Sequence, residues 1–260
     1  TRHSPRRAHA RAAINRALAL DSTLAEVQWV AAMIRAWLEW DWERAEAAFR
    51  KAIEINPNYA EARAFYANFL YIMERPEEGR AQMERALELD PFNLTIRAYN
   101  GGRLVVYERR YAEAIEELEA VLQIEPNHIA AITYLTGAYR ASGNYDEAIA
   151  LARSTSPGDQ ELEDALDRAY AEGGYRAAML ILAETLAARP DVHHVGVAGT
   201  YAAAGDRERT LDWLELAYEA RHYQLPGVLL AAGSPPVPGD PVPGDDPRYQ
   251  ALRRRVGLPE

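Results

Sequence analysis

Cysteine is absent from this sequence of 260 residues, which excludes disulfide bonds and thiolate metal sites. Lysine is nearly absent as well, because Lys51 is the single lysine among 29 basic residues. No run of about 18 apolar residues occurs, so we expect this segment neither to span nor to contact a membrane. The sequence does not determine the cellular compartment of the protein. We favour the cytoplasm, and a periplasmic location is the alternative if the parent protein has an upstream membrane helix.

Positive charge is scarce relative to negative charge, and the formal net charge is −10. Proteins that bind duplex nucleic acid usually carry a basic face. Here the basic runs are short and lie near the ends, at Arg6-Arg7 and Arg253-Arg254-Arg255. We interpret both as solvated ends, and we expect no nucleic-acid partner.

Motifs of catalysis are also missing. The sequence has no P-loop, no Gly-x-Ser-x-Gly and no His-Glu-x-x-His. His193 and His194 are adjacent, and adjacent residues of a helix point about 100° apart, so they chelate one metal ion poorly. We therefore expect no enzymatic activity, no metal site and no cofactor.

What the sequence does contain is a repeated phrase: a small residue, an apolar residue four positions later, another small residue three positions after that, and then a proline. The phrase recurs as Ala45–Phe49–Ala52–Pro57, Gly79–Met83–Ala86–Pro91, Ala114–Leu118–Val121–Pro126, Ala148–Ala152, Ala178–Leu182–Thr185–Pro190 and Thr210–Leu214–Ala217, with a partial copy at Ala10–Ile14–Ala17. Successive copies begin 35, 34, 35, 34, 30 and 32 residues apart. A period near 34 is typical of repeats made of two helices.

The residue types of each copy predict how its two helices end. The spacing of four and three places the small and apolar residues on one stripe of the second helix. Proline ends that helix, because it lacks an N–H and restricts the residue before it. Gly143, Gly173 and Gly205 lie in the turn between the two helices, where we expect them to adopt the left-handed conformation.

This pattern resembles the tetratricopeptide repeat over roughly residues 8–222. The stretches Trp37–Ala62, Ala202–His222 and Asp246–Glu260 are similar to the C-terminal repeat region of large bacterial regulators. The resemblance implies an all-α fold, a right-handed superhelical α-solenoid of helix-turn-helix repeats with a concave inner groove. It also implies an interaction or sensory module in which the first helix of each pair lines that groove.

The predicted organisation has three parts. Residues 1–222 form the solenoid, with a half repeat at 8–20 and about six helix pairs in 24–222. Residues 223–246 are a loop rich in proline and glycine, and residues 247–260 are a capping helix and tail. Because residues 8–20 supply only the second helix of a copy, we expect exposed apolar surface there, which favours a homodimer through the N-terminal repeats.

Polar and aromatic residues of the first helices are the candidate contacts for a peptide. They are Asn68, Tyr71, Tyr99, Arg103, Tyr107, Thr133 and Arg140, and the same alignment to the repeat assigns Ala64 to the groove-facing positions. Tyrosine and arginine bury large areas and form directed hydrogen bonds, and arginine binds carboxylates. The alternative is that these side chains pack against neighbouring helices or contact water.

The sequence therefore predicts a protein-protein interaction scaffold that binds a peptide or protein in the groove without catalysis. A second hypothesis is a ligand-sensing or self-assembling regulatory module of a larger bacterial signalling or transcription regulator.

Overall fold

The computed structural model describes residues 5–154, 159–231, 244 and 246–259. The regular structure in these residues is helical throughout, with fourteen α-helices and two π-helical segments. The chain forms two compact units. The first unit ends at Tyr99 and includes Gly257–Pro259, and the second runs from Asn100 to Val256.

The first unit holds α1 (Pro5–Leu20), α2 (Ala25–Met33) with the π segment Ile34–Glu39, α3 (Trp42–Ile55), α4 (Ala60–Ile72) and α5 (Pro76–Leu89). The helix α6 (Leu94–Arg103) begins in the first unit and ends in the second. The second unit continues with the π segment Leu104–Glu108, α7 (Tyr111–Ile124), α8 (Ile129–Ser142), α9 (Tyr145–Ser154), α10 (Gln160–Ala187), α11 (His194–Ala204), α12 (Arg207–Glu219), α13 (Leu225–Ala231) and α14 (Pro247–Val256).

Consecutive helices form pairs, as the resemblance predicts. The first helices of the pairs are α2, α4, α6, α8, the front part of α10, and α11; the second helices are α3, α5, α7, α9, the rear part of α10, and α12. The small residue that opens each second-helix stripe is buried at every copy from Ala45 to Thr210. At Gly79 a Cβ atom would lie 3.0 Å from the Tyr71 ring, so the small residue allows the two helices to approach closely.

The two π segments explain why some copies are one residue longer. One lies in the 35-residue interval from Ala10 to Ala45, and the other lies in the 35-residue interval from Gly79 to Ala114. A π turn closes its hydrogen bond over one more residue than an α turn does. Each segment therefore takes up the extra residue inside the first helix and keeps the second helix in register.

The turn between the helices uses the left-handed conformation, as predicted, at Gly143 (φ 80°) and Gly205 (φ 83°). The prediction for Gly173 was wrong by one position, because the neighbouring Gly174 has the positive φ of 71° inside α10. With φ 71° and ψ −164°, Gly174 interrupts α10, so the front and rear parts of α10 are the two helices of this pair.

The same turn position carries larger residues in three other copies. Trp40, Glu74 and Arg109 stand five residues before Ala45, Gly79 and Ala114, and their φ angles are 57°, 57° and 55°. A residue with a Cβ atom adopts this conformation at a cost of about 1–2 kcal/mol. The turn geometry is therefore imposed by the packing of the helices rather than by glycine alone.

The C-terminal part differs from the sequence prediction at its beginning. A loop was predicted from residue 223, but α13 occupies Leu225–Ala231 and buries Leu225 and Leu229 completely. The apolar run of this short helix explains the difference, because burial of its leucines stabilises a helix despite the proline at its start. Residues 232–243 and 245 of the predicted loop lie outside the described residues.

The helix α14 docks through one buried face and one arginine. Tyr249, Leu252 and Val256 are buried. Arg248 pairs with carboxylates of α12, at 2.6 Å from Asp212 and 3.0 Å from Glu215. No helix of the described segments has the length and apolar character needed to cross a membrane.

Candidate binding surface

The candidate surface consists of the accessible side chains on the first helices, and each unit has its own part of it. In the first unit, half-buried aromatic rings form a row over three successive first helices. The ring centroids of Trp29 and Phe65 are 5.8 Å apart, and those of Phe65 and Tyr99 are 5.1 Å apart. Such tilted and edge-to-face contacts stabilise the row while leaving part of each ring accessible.

Tyr59 extends this row beside Trp29, with ring centroids 5.5 Å apart. Burial, reinforced by the carboxylates of Glu61 and Glu26, raises the pKa of Tyr59 to about 12. The phenol therefore stays neutral at physiological pH. The indole Nε1 of Trp29 is buried and has no acceptor in the part of the chain that the structure describes.

Asn68 and Tyr71, both predicted contacts, have different surroundings. Asn68 is half-buried one turn after Phe65, and its amide has no hydrogen-bond partner among the described residues. Tyr71 is only 3% exposed, and its ring lies against α5 at Gly79. Tyr71 is therefore part of the packing between α4 and α5, and its burial does not fit a role in contacting a ligand.

In the second unit, Arg103 is 8% exposed and is already occupied. Its Nη1 pairs with Glu108, and its Nε and Nη2 donate to the Asn100 side-chain oxygen at 3.1 and 2.8 Å. Glu108 also accepts from Arg110 at 3.0 Å. The prediction that Arg103 binds a partner's carboxylate does not fit this arrangement, because Glu108 of the same chain supplies the carboxylate.

The other predicted residues of the second unit are accessible. Tyr107 is half-buried and Thr133 is exposed, although the Thr133 hydroxyl donates to the Ile129 carbonyl oxygen at 2.8 Å. Arg140 is half-buried in the last turn of α8, and its Nε is buried without an acceptor. Within the described residues Arg140 has no ion-pair partner. Its charge is therefore available to a carboxylate from outside the chain.

Sequence reasoning missed Phe65, because it assigned the neighbouring Ala64 to the accessible face. Ala64 is 1% exposed, whereas Phe65 is half-buried. The signal was the spacing of Glu61, Phe65 and Asn68, which places these three side chains on one stripe of α4. The assigned face was thus rotated by one residue at Ala64, and it included Tyr71 although residues 69–72 are all buried.

Metal ligands do not cluster in the described ranges: no group of three or more His, Cys, Asp or Glu residues is placed to hold an ion there. The imidazole of His193 instead caps the N-terminus of α11, where its Nδ1 accepts a hydrogen bond from the Gly196 N–H at 3.0 Å.

Comparison with known proteins identifies the repeat. Residues 36–98 and 106–167 match the family model described as tetratricopeptide repeat. No curated protein sequence matches the chain.

Two solved structures are similar in fold. One is described as YrrB, a TPR protein with an unusual peptide-binding site, and has 21% sequence identity and a TM-score of 0.45; the similarity covers 84% of this chain and 95% of that one. The other is described as PilW, a widely conserved type IV pilus biogenesis factor, and has 21% identity and a TM-score of 0.49, with 86% and 90% coverage. Residues 36–98 and 106–167 are therefore tetratricopeptide repeats, and the described chain continues as paired helices beyond them.

Proposed function

We propose that the chain is a non-catalytic interaction scaffold that binds a peptide or protein on its first helices. The observation that carries the proposal is the Arg140 guanidinium of the second unit, whose Nε is buried without an acceptor among the described residues; Asn68 of the first unit adds a half-buried amide without an intramolecular partner there. Buried polar groups are normally hydrogen-bonded. A bound segment of another chain supplies the missing partners.

The two units favour different contacts. Beside Asn68, the row of Trp29, Phe65 and Tyr99 offers apolar ring surface to aromatic or aliphatic side chains. The Asn68 amide has both a donor and an acceptor, so it matches the backbone of an extended peptide. In the second unit, Tyr107 and Thr133 offer a ring and a hydroxyl on the first helices, and the Arg140 guanidinium favours a carboxylate.

A displayed library of short peptides rich in acidic and aromatic residues tests the proposal. Peptides selected on the full chain should bind with a dissociation constant that rises about tenfold in Asn68→Ala or in Arg140→Glu, depending on the unit that each peptide occupies. The affinity is measured by fluorescence anisotropy.

Arg254→Glu is the matched control, because Arg254 is an exposed arginine of the same unit as Arg140, lies on α14 outside the first helices, and its substitution makes the same change in charge. It should leave the affinity unchanged. The proposal is contradicted if no peptide loses affinity in Asn68→Ala or Arg140→Glu while the helical circular-dichroism signal is intact.

A second candidate function is self-assembly as a regulatory module, and one observation favours it. Leu20, Leu24 and Val30 of the first unit are 79%, 48% and 40% exposed. Large apolar side chains that lie near one another and are exposed often mark a surface that a protein covers. This is the part of the chain through which the sequence predicts a homodimer.

Light scattering across a range of concentrations tests this candidate. A dimer should form in the unmodified chain and should be lost in Leu20→Glu. Phe92→Glu is the control, because Phe92 is an equally exposed apolar residue in a different turn. A chain that stays monomeric at high concentration contradicts self-assembly.

A further inference from the structure

The second helices also border clefts, and one of them lies between α7 and α9 over α8. This α7–α9 cleft has a volume of about 520 Å³. Its floor is aliphatic and its rim is acidic. The floor consists of Leu122, Leu135 and Leu151, and the rim carries Glu119 and Glu147 together with the exposed Gln123 and Ala150. All of these residues belong to the second unit.

The first unit has a cleft at the same place in the repeat, between α3 and α5 over α4, with a volume of about 470 Å³. Counted from the small residue that opens each second-helix stripe, the lining positions of the two clefts correspond. Arg50 takes the position of Glu119, Glu78 that of Glu147, and Gln82 that of Leu151. The two clefts are therefore internal controls for each other.

In the α3–α5 cleft, arginine side chains of the same chain pair with the acidic side chains. Arg50 donates to the Tyr66 hydroxyl at 3.1 Å and pairs with Glu46 at 2.7 Å. Arg75 pairs with both Glu46 and Glu78, at 2.7 and 2.6 Å. Glu46 and Glu78 thus each meet a guanidinium of the same chain, and the Arg75 hydrogen bond is the main cause that lowers the pKa of Glu78.

The α7–α9 cleft lacks both arginines. The position of Arg50 holds Glu119, and the position of Arg75 holds Asn144. The Glu119 carboxylate accepts a hydrogen bond from the neutral Tyr139 hydroxyl at 2.5 Å. Glu147 has no ion-pair partner within the ranges that the structure describes. The repeat therefore keeps the apolar floor here and leaves the negative charge of the rim uncompensated.

The surrounding sequence increases this negative charge. Residues 111–173 contain thirteen acidic and three basic residues, so this segment alone has a net charge of −10, equal to that of the whole chain. A field of one sign attracts partners of the opposite sign and speeds their association.

We propose that the α7–α9 cleft binds a basic segment of a partner protein, which places an aliphatic side chain on the leucine floor and arginine or lysine side chains beside Glu119 and Glu147. The partner's guanidinium would meet Glu147 as Arg75 meets Glu78 within the first unit. The aliphatic contact supplies affinity through apolar burial, and the charge pairs select the sequence of the partner. This site is independent of the first-helix surface proposed above.

The test uses the full chain and a short fluorescent peptide in which pairs of leucine alternate with pairs of arginine. We expect the peptide to bind, and its dissociation constant to rise at least about tenfold in Glu119→Arg, which installs the residue type of the first unit. Leu151→Gln, which installs the residue type of Gln82, should weaken binding several-fold. A peptide with glutamate in place of arginine should not bind.

Glu116→Arg is the control, because Glu116 is an exposed acid of the same helix outside the cleft and its substitution changes the net charge equally. It should change the dissociation constant less than about twofold. Equal weakening in Glu116→Arg and Glu119→Arg would show attraction to the acidic segment in general and would overturn the proposal, as would the absence of binding to the unmodified chain. If circular dichroism shows that Glu119→Arg does not fold, Glu147→Gln replaces it, and unchanged binding in that variant overturns the proposal.

Discussion

At the scale of the residue, arginine side chains have opposite roles according to the neighbours that the repeat gives them. Arg103 is buried and is held by Glu108 and Asn100. Arg140 is half-buried and has no ion-pair partner in the described residues. Both arginines lie on first helices, and residue type alone does not distinguish them. The carboxylate of Glu108, five residues after Arg103, makes the difference.

We expect Arg103→Ala to lower the free energy of unfolding by about 3 kcal/mol, because it leaves the buried Glu108 carboxylate with Arg110 alone. Arg140→Ala should lower it by less than about 1 kcal/mol, since no pair is broken. Urea unfolding followed by circular dichroism measures both values. Equal losses in the two variants would contradict the assigned roles.

The backbone of single residues in the turns gives a second prediction. Arg109→Gly should raise the free energy of unfolding by about 1 kcal/mol, because it relieves the left-handed conformation of a residue with a Cβ atom. Gly143→Ala should lower it by a similar amount, and a Cβ atom there meets no other atom within 4 Å, so the effect is one of the backbone alone. Thermal unfolding checks the two opposite signs, and a shift of the same sign in both variants would show that φ does not govern these turns.

At the scale of the element, the π segments keep the repeats in register. The intervals of 35 and 34 residues alternate over the first four copies, and a π segment occurs in each of the two long intervals. The hydrogen bond from the Arg109 N–H to the Leu104 carbonyl oxygen closes the second of these segments. The extra residue thus stays within a first helix, and both neighbouring second helices keep their buried stripes.

Deletion of Val106 should therefore be tolerated, because it converts the second π segment to α-helix and gives a 34-residue interval. We expect a loss of about 1 kcal/mol or less in the free energy of unfolding. Deletion of Thr136 from α8, in an interval that already has 34 residues, should cost several times more, since it rotates the buried face of that helix. Similar unfolding midpoints for the two deletions would contradict this explanation of the π segments.

The sequence predicts a structural feature well when several copies of the repeat carry the same signal for it. The helix pairs follow from small residues and prolines that recur at fixed spacing, so a single exception such as Ala148–Ala152 does not hide them. The accessible face of a first helix has no such redundancy. A rotation of one residue exchanged Ala64 with Phe65, and Tyr71 was assigned to the surface although residues 69–72 are all buried.

The sequence alone also could not predict the ion pair of Arg103 with Glu108, or where the additional residue of each 35-residue interval lies. An added residue fits equally well into a turn or into a π segment, and the spacing of the copies is the same in both cases. The helix α13 was missed because its proline and glycine indicated a loop, whereas burial of Leu225 and Leu229 determines the structure.

At the scale of the whole molecule, different surfaces suit different partners. The first helices present aromatic rings and unsatisfied polar groups, whereas the α7–α9 cleft presents leucines and carboxylates. The right-handed superhelical path and the concave groove remain predictions from the family resemblance. The central claim is that the first helices hold another polypeptide.

Hydrogen–deuterium exchange of the full chain, with and without a peptide selected from the acidic and aromatic library, tests that claim most directly. We predict that bound peptide slows exchange in the first helices α4 or α8 and leaves the second helices α3, α5, α7 and α9 unchanged. Slowing confined to the second helices, or no slowing at a saturating peptide concentration, would contradict it.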